Sequence, residues 1–374
     1  MKSVGTITFH NTINYGGVLQ AYALQNVLID MGYVAEIIDY CDPRGDMHSL
    51  TPLRRLLHLI WHGLVKKMLV GSTREIRTDA FRRAHLRLSG RTYVDADTLH
   101  SDPPLYDAYI TGSDQVWNPR NNCNDSSYFL TFAPQGRRRI AYAASFGVSR
   151  IQDRLVSDYR EWLKQIDCLS TREFEGRQII VQLTGRDSEL LLDPTLLLDK
   201  EQWSRVAVPY EFSRPYILCY YMPGDRKVNK SIGEIASRVA KQTGWDVIGI
   251  GQKEYMRLHP FSRTALKSGP AEFVGLFQNA SFVVTNSFHG TAFSVNFKIP
   301  FLVPINSDLP PEKTLSSRIT TLLKTLKLEH RLLPAGAGLP GEGVIDMEFR
   351  SAERILLQER QRSMYFLRNA MEGA

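Results

Sequence analysis

Short aliphatic and β-branched runs alternate along this chain with amphipathic segments of helical period, and the alternation predicts an α/β protein with parallel sheets. Residues 4–9 form the first strand. A polar, glycine-bearing turn follows at 10–17, then a helix at 18–31 stopped by Gly32, and a second strand at 34–40. Residues 106–110 read as a strand that leaves through the small and polar 111–115. Residues 140–146 are a further buried strand, 151–166 a helix and 168–172 a short strand. The second half repeats the theme, with strands at 216–222, 245–250, 282–285 and 301–305 and helices at 232–242, 270–279 and 318–326. Residues 332–343 read as a Gly/Pro-rich linker and 351–371 as a closing helix. The pattern divides into an N-terminal Rossmann-like domain, 1–200, carrying a helical insert at 44–91, and a second at 213–345. The run LLLDPTLLL has Asp193-Pro194 inside it, which breaks regular sheet, so the pair is assigned a structural role at the crossing.

Composition narrows the picture. The 374 residues suffice for two domains with separate cores, and 43% hydrophobic with 23% charged residues is ordinary for a soluble globular chain. Cys41, Cys123, Cys168 and Cys219 are scattered, with no CxxC and no paired histidines. That spacing argues against a disulfide framework and a structural zinc site, and it fits a reducing cytosol. No signal-peptide core precedes the first strand and no apolar run of about 18 residues occurs, so a cytoplasmic protein without a membrane span is expected. The net charge of +7 is concentrated: 44–91 carries +8 and the remainder about −1. Nucleic-acid binding is not indicated, because the basic stretch lacks stacking aromatics or a known module. Within it, 50–70 reads as a basic amphipathic helix, either an ordinary solvated face or a helix lying on an anionic membrane surface.

The richest stretch chemically is SFVVTNSFHGTAFSVNFKIPFLVP, residues 281–304. Strand, polar turn, short helix and strand make a βαβ unit, and ligands of such sheets sit beyond the carboxyl ends of the strands. His289 falls there, beside Gly290, just before a helix whose free N–H groups favour an anion. It reads either as a ligand-facing residue or as a satisfied core histidine. Gly16-Gly17, entering a helix after the first strand, is either a phosphate cradle or a tight turn. Asp114, at the end of another strand, suits a sugar hydroxyl or caps the next turn. Arg172 would by default be a surface salt bridge.

Six ordered blocks, TFHNTINYGGVLQAYALQ, YITGSDQVWNP, RRIAYAASFG, LSTREFEG, LLLDPTLLL and SFVVTNSFHGTAFSVNFKIPFLV, resemble the polysaccharide pyruvyl transferase family over residues 3–330. The resemblance implies a GT-B-like fold, two Rossmann-like domains facing across a cleft, with the C-terminal helix returning to the first domain. It further implies transfer of a pyruvyl group from phosphoenolpyruvate to two hydroxyls of a sugar, as a cyclic ketal, in surface polysaccharide synthesis such as capsule or exopolysaccharide. It places His289 and Arg172 at the donor site, with Ser287 and Gly290 in the same turn. Some relatives carry an arginine where this chain has Ser287, so the lost cation is expected from Lys313 or Arg318 unless these are plain surface charge.

The expected division of labour follows from the chemistry. Phosphoenolpyruvate carries a carboxylate and a phosphate, for which a planar guanidinium is a good clamp. Protonation at C3 suits a histidine, whose unperturbed pKa is about 6.5. Asp114 would orient or deprotonate the sugar, and Asn14, Gly16, Gly17 and Ser113 would line the acceptor side. No metal and no cofactor beyond the co-substrate is expected. A lipid diphosphate-linked acceptor would give the basic helix at 50–70 a place at the inner membrane face. The competing readings are a glycosyltransferase using a nucleotide sugar, with Glu272 as its ribose-binding carboxylate, and a non-catalytic sugar-binding partner in polysaccharide assembly.

Overall fold

The computed structural model describes residues 1–41, 73–121, 124–210, 212–251, 262–265, 267–308, 317–339, 341 and 343–373. The basic segment 50–70, Cys123 and Lys313 lie outside the described residues. The chain divides into two compact units. One comprises Met1–Pro194 with the last residues from Met364, and the other Thr195–Ser363.

The first unit is built on a parallel sheet of five strands: β1 (Ser3–Ile7), β2 (Val34–Tyr40), β3 (Leu88–Tyr93), β4 (Ala108–Thr111) and β5 (Arg138–Ala141), in the order β3-β2-β1-β4-β5. Helix α1 (Tyr15–Asp30) connects β1 to β2, α2 (Thr73–His85) precedes β3, and α3 (Ala96–Ser101) precedes β4. α4 (Val156–Lys164) and α5 (Phe174–Thr184) flank a two-stranded ribbon of β6 (Ser170–Thr171) and β7 (Glu189–Leu190). β1 and β4 are buried over almost their whole length, as parallel strands covered on both faces require. Beyond them packs an aromatic core in which Trp117 stacks on Phe129 at 5.3 Å and Tyr159 meets Phe129 edge-on at 5.0 Å.

The second unit holds six parallel strands: β8 (Tyr216–Tyr220), β9 (Asp246–Ile250), β10 (Ser262–Thr264), β11 (Phe282–Thr285), β12 (Phe301–Ile305) and β13 (Leu332–Pro334), in the order β10-β9-β8-β11-β12-β13. Around them lie α6 (Lys200–Ser204), α7 (Arg226–Thr243), α8 (Pro270–Gln278), α9 (Phe288–Asn296) and α10 (Ser317–Thr325). The closing helix α11 (Arg350–Glu372) is shared: its residues to Ser363 belong to the second unit and those from Met364 to the first. In the first unit its Phe366 ring lies 6.5 Å from that of Tyr142.

Two expectations are corrected. Residues 140–146 are not one strand, because the ladder of β5 ends at Ala141 and Ala143 takes φ +45°, turning the chain before an isolated bridge at Ala144. Residues 332–343 are not all linker, because Leu332–Pro334 pairs with β12 at the sheet edge, where a proline costs no ladder bond to a further strand.

Candidate active site

Each large sheet has a point where neighbouring strands send their connections in opposite directions, between β1 and β4 in the first and between β8 and β11 in the second. Ligands of such sheets bind beyond the carboxyl ends of the strands at such a point, and the two residue clusters singled out in the sequence fall there.

In the first unit, Asn14 caps α1, its side chain accepting from Gly16 N at 3.0 Å. Gly17 is required by close approach. A Cβ there would stand 2.8 Å from Thr12 Cγ2, 3.0 Å from Phe9 O and 3.6 Å from Asp114 Oδ2. Gly17 and Asp114 are therefore neighbours. Gln20, unremarked in the sequence, joins them: its Nε2 donates to Thr8 Oγ1 at 2.8 Å and Gly17 O at 2.9 Å, and its Oε1 accepts from Ser113 N at 3.0 Å.

Asp114 adopts φ +65°, a left-handed conformation that a non-glycine residue holds only when its surroundings fix it. They do so through Ser145 N, which donates to Asp114 O at 2.9 Å, and Arg172 Nη2, which donates to Asp114 Oδ1 at 3.2 Å. Arg172 Nη1 donates at 2.5 Å to Asp193 Oδ2. The Arg172 side chain is 1% exposed and that of Asp193 0%, whereas Asp114 keeps 13%. Burial opposes the charge on the guanidinium, but Asp193, Asp114 and Glu173 outweigh it and hold its pKa above the ordinary value. Glu173 is itself buried, accepting from Ser145 Oγ, Phe146 N and Gly147 N at 3.0, 2.8 and 3.1 Å.

These contacts revise two assignments. Arg172 is not a surface ion pair, and it offers no open guanidinium face to an anionic donor: it is enclosed with two carboxylates and holds Asp114 in place. Ser113, expected to meet the acceptor, is turned inward, its hydroxyl 2.7 Å from Ala143 O and 3.1 Å from Asp193 Oδ2. Asp193 has the structural role assigned to it, as the buried carboxylate that accepts from Arg172.

In the second unit, α9 begins directly after β11. Ser287 is its N-cap, with Oγ accepting from Gly290 N at 3.3 Å, and its own N–H donates to Thr285 Oγ1 at 3.0 Å. Gly290 must be glycine, because a Cβ would come within 2.5 Å of Thr285 Oγ1, and that hydroxyl is held by donation to Tyr220 O at 2.9 Å. His289 occupies the first turn of α9, 6% exposed, its ring edge-on to Phe288 at 5.2 Å. Ser287 and Gly290 thus shape the turn that carries His289. Asn286, part of the polar cluster that ends the strand, ties this turn to the end of β8 by accepting from Met222 N at 2.8 Å and donating to Asn229 Oδ1 at 3.1 Å. Arg318 sits in the first turn of α10, which packs on α9. Glu272 accepts from Gly269 N at 2.9 Å and caps α8. At the far end of α9, Asn296 donates to Thr195 O and Leu198 O at 3.1 and 2.8 Å, anchoring the helix to the start of the second unit.

Two Rossmann-like units of this order define the class of dinucleotide-type α/β folds found in GT-B enzymes. Solved structures share the fold. The UDP-N-acetylglucosamine 2-epimerase of Rickettsia bellii matches with a TM-score of 0.54 at 11% identity, over 100% of this chain and 96% of its own. S. aureus MnaA, solved with UDP, matches with a TM-score of 0.52 at 12% identity, over 96% and 91%. No curated protein sequence matches. The sequence model of the polysaccharide pyruvyl transferase family spans residues 14–308, and the chain belongs to that family. It is accordingly a transferase of polysaccharide biosynthesis. Among the described residues no helix is long and apolar enough to cross a membrane.

Proposed function

We propose that this protein moves the three-carbon unit of phosphoenolpyruvate onto two hydroxyls of one sugar, forming a pyruvate ketal and releasing phosphate. The observation that carries the reading is His289 in the first turn of α9 at the switch point of the second sheet, in a chain of this family. The positive end of the helix suits an anionic donor. His289 delivers a proton to C3 of the enol. C2 then gains oxocarbenium character, a sugar hydroxyl adds to it, phosphate departs with the electrons of the C2–O bond, and a second hydroxyl of the same sugar closes the ring, its proton leaving with the phosphate. Asp114 takes the proton of the attacking hydroxyl, with Asn14, Gly16 and Gly17 forming the backbone bed for the sugar. Arg172 is a positioning residue acting through Asp114. Lys313 or Arg318 supplies the cation that a serine at 287 cannot.

The acceptor on this reading is a lipid diphosphate-linked sugar. The basic segment 50–70 would then rest on the anionic inner face of the cell membrane, each cation adding about 1 kcal/mol. Binding to anionic vesicles that survives neutralisation of Arg54, Arg55, Lys66 and Lys67 would remove that role. The fold is equally that of nucleotide-sugar enzymes, and Glu272 was the carboxylate available for a ribose. Its commitment to capping α8 weighs for the ketal reading. Thermal shift separates the two: phosphoenolpyruvate should raise the melting temperature and lose that effect in His289→Gln. Stabilisation by UDP with none from phosphoenolpyruvate would favour the nucleotide-sugar enzyme instead.

A further inference from the structure

His10, at the carboxyl end of β1, and Asp39 and Cys41, at the carboxyl end of β2, bring an imidazole nitrogen, a carboxylate oxygen and a sulfur within 4.8 Å of one another. The spacing in sequence hides this, since His10 follows β1 while Asp39 and Cys41 lie at the end of β2, and they meet only when β2 lies beside β1. His10 Nε2 is 2.9 Å from Asp39 Oδ1, and Cys41 Sγ is 3.4 Å from the same oxygen.

The partners behind these atoms decide how the cluster is read. His10 Nδ1 lies 3.2 Å from Thr8 O, which can only accept, so Nδ1 carries the ring proton. Nε2 is then a lone pair aimed at a carboxylate oxygen, an arrangement that needs either a second ring proton or a cation between them. The other oxygen of Asp39 accepts from Thr92 Oγ1 at 2.6 Å, and Cys41 Sγ accepts from Asn11 Nδ2 at 2.9 Å. Each of the three donors thus has its own outer partner: a backbone carbonyl on the imidazole, a hydroxyl on the carboxylate and an amide N–H on the sulfur. Such outer contacts orient metal ligands and fix the histidine tautomer.

We propose that His10 Nε2, Asp39 Oδ1 and Cys41 Sγ bind one thiophilic divalent cation, Zn2+ by the donor set. Imidazole, thiolate and carboxylate suit zinc at about 2.0–2.3 Å, and opening the present Nε2–Oδ1 separation by a few tenths of an ångström makes room for a tetrahedron. On binding, the sulfur–hydrogen bond of Cys41 is exchanged for a sulfur–metal bond and the proton leaves to solvent. The thiolate and the carboxylate then neutralise the 2+ charge. Three protein ligands leave a fourth position, which water fills from the side where Asp39 is 13% exposed. The cation would clasp the β1–α1 turn, which carries Asn14 and Gly16, to the end of β2. This inference stands apart from the ketal reading, because its readout is metal binding and not turnover.

The probe is Co2+ alone, added to full-length protein stripped with a chelator. The expected result is one Co2+ per chain, with a sulfur-to-cobalt charge-transfer band and visible bands of tetrahedral intensity, all displaced by Zn2+. Cys41→Ser, at a half-buried position where folding is checked by circular dichroism, should abolish the charge-transfer band. Thr92→Val should weaken binding about 10–100-fold with the band retained. A wild-type protein without the band, or a band unchanged in Cys41→Ser, would overturn the assignment. A doubly protonated His10 ring by NMR, persisting in the presence of Zn2+, would identify the cluster as an imidazolium–carboxylate pair and overturn it equally.

Discussion

Arg172 Nη2 donates to Asp114 Oδ1 at 3.2 Å, and this bond makes the orientation of an acid just after β4 depend on an arginine 58 residues on, just after β6. The second arm of the guanidinium is fixed by Asp193, so Arg172 cannot swing away without leaving a fully buried carboxylate behind.

Arg172→Met should therefore cost stability before it costs chemistry. Removing one partner of a buried ionic group typically costs about 3–5 kcal/mol, and two carboxylates lose their counter-charge here. Urea unfolding of Arg172→Met against wild type measures it, and a loss under about 1 kcal/mol would show that the pair is not tightly enclosed.

Asp114→Asn keeps the Arg172–Asp193 pair, and its amide oxygen still accepts from Arg172, so it should cost less stability than Arg172→Met. Phosphate release from phosphoenolpyruvate in the presence of acceptor should fall by about 10²–10⁴, the usual range for a lost general base. A wild-type rate would take Asp114 out of the reaction.

Gly290→Ala places a methyl 2.5 Å from Thr285 Oγ1, and that hydroxyl bridges Tyr220 O and Ser287 N. The overlap should cost about 1–3 kcal/mol and displace His289 with its turn. Gly290→Ala/Thr285→Ser, which clears the methyl of Thr285 and not its hydroxyl, should recover only part, by thermal unfolding.

Asp225 caps α7, accepting from Lys227 N at 2.8 Å and Val228 N at 3.3 Å. A side-chain bond from Asn306, ahead of the two backbone donors, holds its carboxyl below the usual range. A depressed carboxylate pKa stabilises the fold above the unfolded value of about 3.9 and ceases to do so as pH falls through the folded value. Asp225→Ala should thus cost about 1 kcal/mol near neutrality. The gap to wild type should narrow below about pH 4, as paired denaturant curves at the two pH values would show.

The alternation of β-branched runs with helical spacing was enough to find β1, β2, β4, β8, β9, β11 and β12, because each is a buried parallel strand with an apolar signature. β3 and β13 escaped for the opposite reason. Leu88–Tyr93 and Leu332–Pro334 are edge strands with polar or proline-containing sequences, and their pairing comes from the neighbouring strand. The turn around His289 was legible because Ser287, Gly290 and a following apolar helix lie within one short stretch. The roles of Arg172 and Asp193 were not, since an arginine in a sequence carries no mark of burial. Only the meeting of β4, β6 and the segment before Thr195 encloses it. The partners of Gln20 and Asn286 were invisible likewise, since these amides join segments distant in sequence.

The most direct test is the mass of the acceptor. Full-length protein is incubated with phosphoenolpyruvate and a panel of mono- and disaccharides, free and as polyprenyl diphosphates. The expected product is heavier than its acceptor by pyruvic acid less one water, in amount equal to the phosphate released, and is absent with His289→Gln. A product heavier by a sugar unit, formed from a nucleotide sugar while phosphoenolpyruvate is left intact, would contradict the assignment.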